Sequence, residues 1–228
     1  MASQARESGW SPSAARRLVL GADPIRRGVY LLGAVPGVWT FYLGVMDRLG
    51  ADPVAILERT LGLWALRFLI LGLAITPLRR LGGPSLIRYR RAIGLLAFYY
   101  AAAHLAVYLV LDRGLDLASI WADIVKRPYI TAGMASFAIL VPLAATSNAT
   151  MIRRLGGQAW QRLHRWVYAA AALAALHFVL LVKVVPGEPL LYAVLVALLL
   201  GLRAYFSVRK RLQRGGAAGR SAPRGVAR

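Results

Sequence analysis

Cysteine is absent from this chain of 228 residues. No disulfide, thiolate zinc site, Cys-ligated iron–sulfur cluster, Cys-x-x-Cys-His haem attachment or cysteine nucleophile can form. Acids are scarce: 9 Asp and Glu stand against 29 Lys and Arg, a formal net charge of +20. Histidine occurs only three times. Any metal must therefore be met by His, Met or carboxylate side chains. No Gly-x-Gly-x-x-Gly follows a strand pattern, and no phosphate-cradling Gly-Lys-Ser/Thr occurs. The stretches between apolar runs are too short for a nucleotide-binding domain, so any chemistry is expected within those runs or at their ends.

What the chain does have is apolar length. Hydrophobic residues make up 58% and mean hydropathy is +0.55, more than an ordinary soluble domain carries. A helix crosses a bilayer with about 20 apolar residues. Segments at about 29–47, 62–78, 93–111, 128–146, 163–182 and 190–207 meet or nearly meet that length. The second holds Arg67 and the fourth holds Pro142, which neighbouring helices can accommodate. The expected fold is an all-α integral membrane protein, a bundle of six transmembrane helices.

The basic residues fall in blocks at alternate connections: Arg16, Arg17, Arg26 and Arg27; Arg79, Arg80, Arg88, Arg90 and Arg91; Arg153, Arg154 and Arg162; and Arg209 onward. The acids Asp47, Asp52, Glu58, Asp112, Asp116, Asp123 and Glu188 fall in the others. Basic connections stay on the cytoplasmic side, so both termini are expected there, and nucleic acid is not the partner that this charge implies. Residues 1–27 read as a basic cytoplasmic segment rather than a secretory signal, since a continuous apolar core is missing. A twin-arginine reading of Arg16-Arg17 founders on Asp23-Pro24. Residues 28–207 form the membrane domain, and the Gly/Ala/Arg-rich 208–228 reads as a disordered basic tail. Asp52-Pro53 suits the N-cap and first position of a short helix in the first outer connection.

His104 lies 13 residues beyond Arg91, and His177 lies 14 beyond Leu163, on spans that run in the same direction. At a rise of ~1.5 Å per residue both stand roughly 20 Å from the cytoplasmic edge. Two imidazoles at one depth on two helices suit the opposite faces of a haem iron, a closed site that favours electron transfer over ligand activation. A proton path or a structural hydrogen bond is the next reading and coincidence the last, since an ionisable residue inside a membrane argues for function. His164 sits at the inner edge, where solvation, a phosphate or a second cofactor would each account for it. Arg67, about 10 Å below the outer edge, needs an anion or access to water: a haem propionate, Glu58 or snorkelling. Most aromatics lie near span ends as an interfacial belt; for Phe98, Tyr99 and Tyr100 in span three, lining a cofactor is the alternative.

Several stretches carry a resemblance. They are Leu-Gly-Ala-Asp-Pro-Val (49–54), Ile-Thr-Pro-Leu (75–78), Ile-Arg-Tyr-Arg-Arg-Ala-Ile-Gly-Leu (87–95), His104-Leu105, Lys-Arg-Pro-Tyr-Ile-Thr-Ala-Gly (126–133) and Thr-Ser (146–147). Leu-Gly-Gly-Gln-Ala-Trp-Gln-Arg-Leu-His-Arg-Trp-Val-Tyr (155–168), His177 and Pro-Leu-Leu-Tyr-Ala (189–193) follow. Over about residues 28–207 the chain resembles the MsrQ (YedZ) family, haem-binding membrane subunits of the bacterial periplasmic methionine sulfoxide reductase system. That family lies within the ferric reductase-like transmembrane superfamily. The resemblance implies an inner-membrane electron-transfer subunit rather than the catalytic one, carrying haem b and FMN. His104 and His177 match the iron-ligand positions and His164 the third family histidine. Electrons would arrive from a cytosolic NAD(P)H flavin reductase and leave to MsrP, a periplasmic molybdopterin enzyme that repairs oxidised proteins. The FMN phosphate would suit Arg79, Arg80, Arg88, Arg90, Arg91 and Arg153, although topology alone explains each of them. Larger relatives hold two haems on four histidines; here Arg90 and Arg91 occupy the inner end of span three, and a second haem would need His164 with a different partner. Rival readings are a ferric or quinone reductase, a transporter or proton channel, and a structural anchor.

Overall fold

A chain crossing hydrocarbon must satisfy its backbone internally. The computed structural model, which describes residues 24–182 and 187–220, does so with helices; no strand occurs among the described residues. In chain order they are α1 (Pro24–Val45), α2 (Pro53–Arg80), α3 (Arg90–Val107, preceded by a 3₁₀ turn and extended by a π turn to Asp112), α4 (Leu117–Lys126), α5 (Pro128–Ala145), α6 (Ala149–His164), α7 (Val167–Leu181) and α8 (Gly187–Arg220). Six helical runs are long and apolar enough to cross a membrane, with α6 and α7 forming one of them. The segments at 1–23, including the basic N-terminal segment, and at 221–228 lie outside the described residues.

Three expectations change. The helix at Asp52-Pro53 is not separate: Asp52 accepts from the Ala55 N–H at 3.1 Å, Pro53 opens the first turn, and the rod then runs 28 residues to Arg80. That is about 42 Å at 1.5 Å per residue, enough to stand clear of the hydrocarbon at one end. α8 runs on to Arg220, past the bound of 207 given to the last span. α4 and α6 are additional. Both are amphipathic rather than apolar throughout, so span length alone could not reveal them. Gly156, at φ 73°, breaks α6 midway.

The core is a four-helix unit in which α2 packs along α3 and α5 along α7, with further contacts between α3 and α5 and between α2 and α7. Ala92, Ala97, Ala170 and Ala171 are fully buried, small enough to let the backbones approach. The Ser136 hydroxyl donates to the Ala170 carbonyl at 2.8 Å and sets the register of α5 against α7.

The outer two spans, α1 and α8, attach by polar contacts to helix backbone groups. On α1, Gly33 and Gly37 face α3, and a Cβ on either would collide with Leu96 or Tyr100. The Tyr100 hydroxyl enters that groove, donating to the Gly33 carbonyl and accepting from the Gly37 N–H, both at 2.7 Å. Pro77 of α2 has no N–H for the Leu73 carbonyl. Arg203 of α8 donates to that oxygen instead, at 2.7 Å, and to the Tyr168 hydroxyl at 2.7 Å. Arg203 therefore ties α8 to α2 and α7 while filling an acceptor that would otherwise stand unpaired in hydrocarbon.

Candidate functional site

The core unit encloses a cavity of about 530 Å³, lined by α2, α3 with its π turn, α5 and α7. Its walls are apolar at Leu66, Leu69, Phe137, Leu140 and Phe178. His104 from α3 and His177 from α7 both face it, with ring centroids 6.1 Å apart and ring planes at 74°. The Nδ1 atom of His104 lies 2.9 Å from the Glu58 carbonyl oxygen, and that of His177 lies 2.7 Å from the Tyr129 carbonyl oxygen. A carbonyl oxygen only accepts, so each Nδ1 carries the proton and donates. Each Nε2 is then left with its lone pair, the arrangement that a metal-binding imidazole requires.

A haem iron between the two rings is compatible with this geometry. Metal–imidazole bonds run to about 2.0–2.1 Å and a ring nitrogen lies about 1.2 Å from its ring centre, so trans imidazoles have centroids about 6.4 Å apart. The observed 6.1 Å is close to that value. The volume falls in the range of about 300–1,000 Å³ typical of small-molecule sites. Among the described residues no three His, Asp or Glu side chains gather as a metal centre, so iron here would draw its other donors from a macrocycle.

At one end the cavity is rimmed by charge: Glu58, Arg59, Asp112, Arg113 and Arg127. Asp123 of α4, although not itself on the wall, organises this rim. Its carboxylate takes Arg113 at 2.8 Å, Arg127 at 3.0 Å and the Tyr108 hydroxyl at 3.0 Å. Arg127 also donates to the Tyr129 hydroxyl at 3.0 Å. The Nε of Arg113 is buried without a hydrogen bond; Asp112 lies 3.2 Å away but off the donor's direction. Two guanidiniums, one with a spare buried donor, thus stand where an anionic group on a cavity ligand would meet them.

The sequence-derived residues divide. His104 and His177 come together as expected. Arg67 does not reach the cavity: it donates to the Tyr192 hydroxyl at 2.8 Å, stands 3.9 Å from Glu188, and lies over the Trp64 ring. It is five residues from the cavity-lining Gly62, about 140° around the helix. Depth alone did not register that azimuth. Its anion is Glu188, which also takes Arg59 at 3.0 Å. Phe98, Tyr99 and Tyr100 turn away as well: Phe98 stacks on Phe137, Tyr100 holds α1, and Tyr99 is exposed. His164 stands apart from the pair, stacked on Trp160 at 3.8 Å with both nitrogens engaged, by the Trp160 carbonyl and the Ser147 hydroxyl. Arg79, Arg80, Arg88, Arg90 and Arg91 surround the α2–α3 connection; Arg80 lies over Phe206, Arg88 lies over Tyr89, and the Nε of Arg91 is buried without a partner. Arg153 donates to the Thr150 hydroxyl on α6. Sequence reasoning did not single out the arginines that rim the cavity, Arg59, Arg113 and Arg127.

Residues 61–175 match the family model of the ferric reductase like transmembrane component. The chain is 57% identical to the protein-methionine-sulfoxide reductase heme-binding subunit MsrQ of Brucella ovis, over 185 residues that cover 80% of this chain and 84% of that relative. The chain belongs to the MsrQ family. The corresponding proteins of Brucella canis and Brucella suis match with the same identity and coverage. The ferric-reductase-like match runs from Leu61 of α2 to Ala175 of α7; it includes His104 and stops two residues before His177. MsrQ membership and the multi-pass membrane architecture agree with the resemblance read from the sequence motifs.

Proposed function

We propose that the chain is a membrane electron-transfer subunit that holds haem b through His104 and His177. It takes electrons from a cytosolic NAD(P)H flavin reductase and passes them to MsrP, a periplasmic molybdopterin methionine sulfoxide reductase. The observation that carries this reading is the facing pair of imidazoles, 6.1 Å apart, each with Nδ1 spent on a backbone carbonyl and Nε2 left for a metal. His104 and His177 would hold the haem through Nε2, and the bound group would supply one-electron redox chemistry. The apolar walls would exclude water and tune its potential. Arg113 and Arg127, set by Asp123, would meet its propionates, while Arg67 pairs with Glu188 outside the cavity.

The basic end would face the cytoplasm of a bacterial inner membrane, with both termini on that side. There the FMN phosphate would be met by Arg79, Arg80, Arg88, Arg90, Arg91 and Arg153, and His164 stacked on Trp160 would stand beside it as a cofactor contact. The buried, unpartnered Nε of Arg91 supports an anion at this end.

The test is delivery. In liposomes, chemically or enzymatically reduced flavin supplied on one side should reduce the chain, and added periplasmic methionine sulfoxide reductase on the other should reoxidise it with turnover of methionine sulfoxide. Reoxidation by ferric chelates or quinone alone, with none by the reductase, would replace this reading with that of a small-molecule reductase.

A further inference from the structure

Each of the two histidines lies against a glycine of the neighbouring helix, and the two settings repeat one another. On α2 the Glu58 carbonyl accepts from His104, and a Cβ built on Gly62 would stand 3.1 Å from Nδ1 and 3.3 Å from Cε1 of that ring. On α5 the Tyr129 carbonyl accepts from His177, and a Cβ on Gly133 would stand 2.8 Å from Nδ1 and 3.1 Å from Cε1. In both, the glycine follows the accepting residue by one turn. In an α-helix the carbonyl of residue i already accepts from the N–H of residue i+4, and the Cβ of i+4 leans back toward the helix N-terminus, over that carbonyl. An imidazole edge reaches the second lone pair from the side only if that Cβ is missing. Gly37 of α1 does the same for Tyr100, whose hydroxyl donates to the Gly33 carbonyl one turn back, whereas Gly94 meets nothing within 4 Å and Gly72 meets only Ile93, at 3.8 Å.

We propose that Gly62 and Gly133 are positioning residues for the two iron ligands. Together with the carbonyls of Glu58 and Tyr129 they form two equivalent slots, each of which takes an imidazole edge, fixes its proton on Nδ1 and aims Nε2 into the cavity. The inference rests on the haem reading above. It adds to that reading a source for the ring orientation and for the basicity of both ligands, since a hydrogen bond from Nδ1–H raises the donor strength of Nε2. The two slots differ in tightness. At Gly133 an added methyl overlaps the ring outright; at Gly62 a few tenths of an ångström of give would admit it.

The experiment compares the full-length wild type with Gly133→Ala, Gly62→Ala and the control Gly72→Ala, purified in the same detergent. It reads haem per chain, the rate of haem loss to an apoprotein acceptor, the midpoint potential, and the largest g value of the ferric signal, which reports the angle between the imidazole planes. Gly133→Ala should weaken haem retention on the order of 10-fold, raise the potential and shift the g value. Gly62→Ala should change all three in the same direction by less, and Gly72→Ala should change none. Wild-type potential and g value in Gly133→Ala, or equal changes in Gly72→Ala, would overturn the proposal. Should Gly133→Ala not accumulate, ¹⁵N-histidine wild type decides: both Nδ1 protons should exchange slowly in heavy water, and rapid exchange at both would overturn it. A wild type without haem would reject the underlying reading and the slots' role together, an outcome distinct from a haem-loaded wild type with indifferent variants.

Discussion

Replacing His104 or His177 with alanine is expected to remove the haem absorption of the purified protein. Each ring supplies one Nε2 to the same cavity, and no third histidine stands ready to replace it: His164 is held on Trp160, with both nitrogens engaged. His164→Ala should therefore leave the absorption of the His104–His177 site in place. His177→Met gives a gentler check. A thioether in place of one imidazole keeps an axial ligand but should raise the potential, as it does in cytochromes with mixed His/Met ligation. Size-exclusion profiles matching the wild type would show that loss of colour is loss of a ligand and not of the fold. Wild-type spectra in both alanine variants would reject the ligand pair.

The second large effect is expected at Asp123. This carboxylate is 7% exposed and receives Arg113, Arg127 and the Tyr108 hydroxyl, so it joins α4 to α3 and to the start of α5. Asp123→Ala leaves Arg113 half-buried without its closest anion, and removal of one partner from a buried ion pair costs about 3–5 kcal/mol. Arg127 is largely exposed and adds little. Thermal unfolding in detergent should show a fall of several degrees for Asp123→Ala and a smaller one for Asp123→Asn, which keeps the hydrogen-bonding oxygen. As a comparison, Asp116→Ala, which removes only the N-cap of α4, should cost about 1 kcal/mol. If Asp123→Ala melts with the wild type, the rim is a set of solvated surface pairs and does not hold the charged end of the cavity.

The parts of this arrangement that were legible in the sequence are those fixed by one coordinate, distance along a helix. Six apolar runs give six crossings, and counting residues from the basic edge put His104 and His177 at one level, where the rings do meet. Azimuth was not legible. Arg67 shares the depth of the histidines but points toward α8, because its five-residue offset from Gly62 turns it away from the cavity. For the same reason the sequence left Tyr100 open to a place beside a cofactor, whereas it fills the groove of α1. Elements shorter than a span were also hidden. α4 has only 10 residues, yet its one buried carboxylate gathers the arginines that rim the site. Gly62 and Gly133 were invisible for another reason: glycine is common in membrane helices, and only the neighbouring ring shows what the missing Cβ admits.

The most direct test is a spectrum of the purified wild-type chain with haem quantified per polypeptide. The account predicts a b-type haem whose iron is six-coordinate and low-spin when oxidised and when reduced, and which does not take up carbon monoxide. A chain that purifies folded but colourless, or a five-coordinate iron open to carbon monoxide, would contradict it.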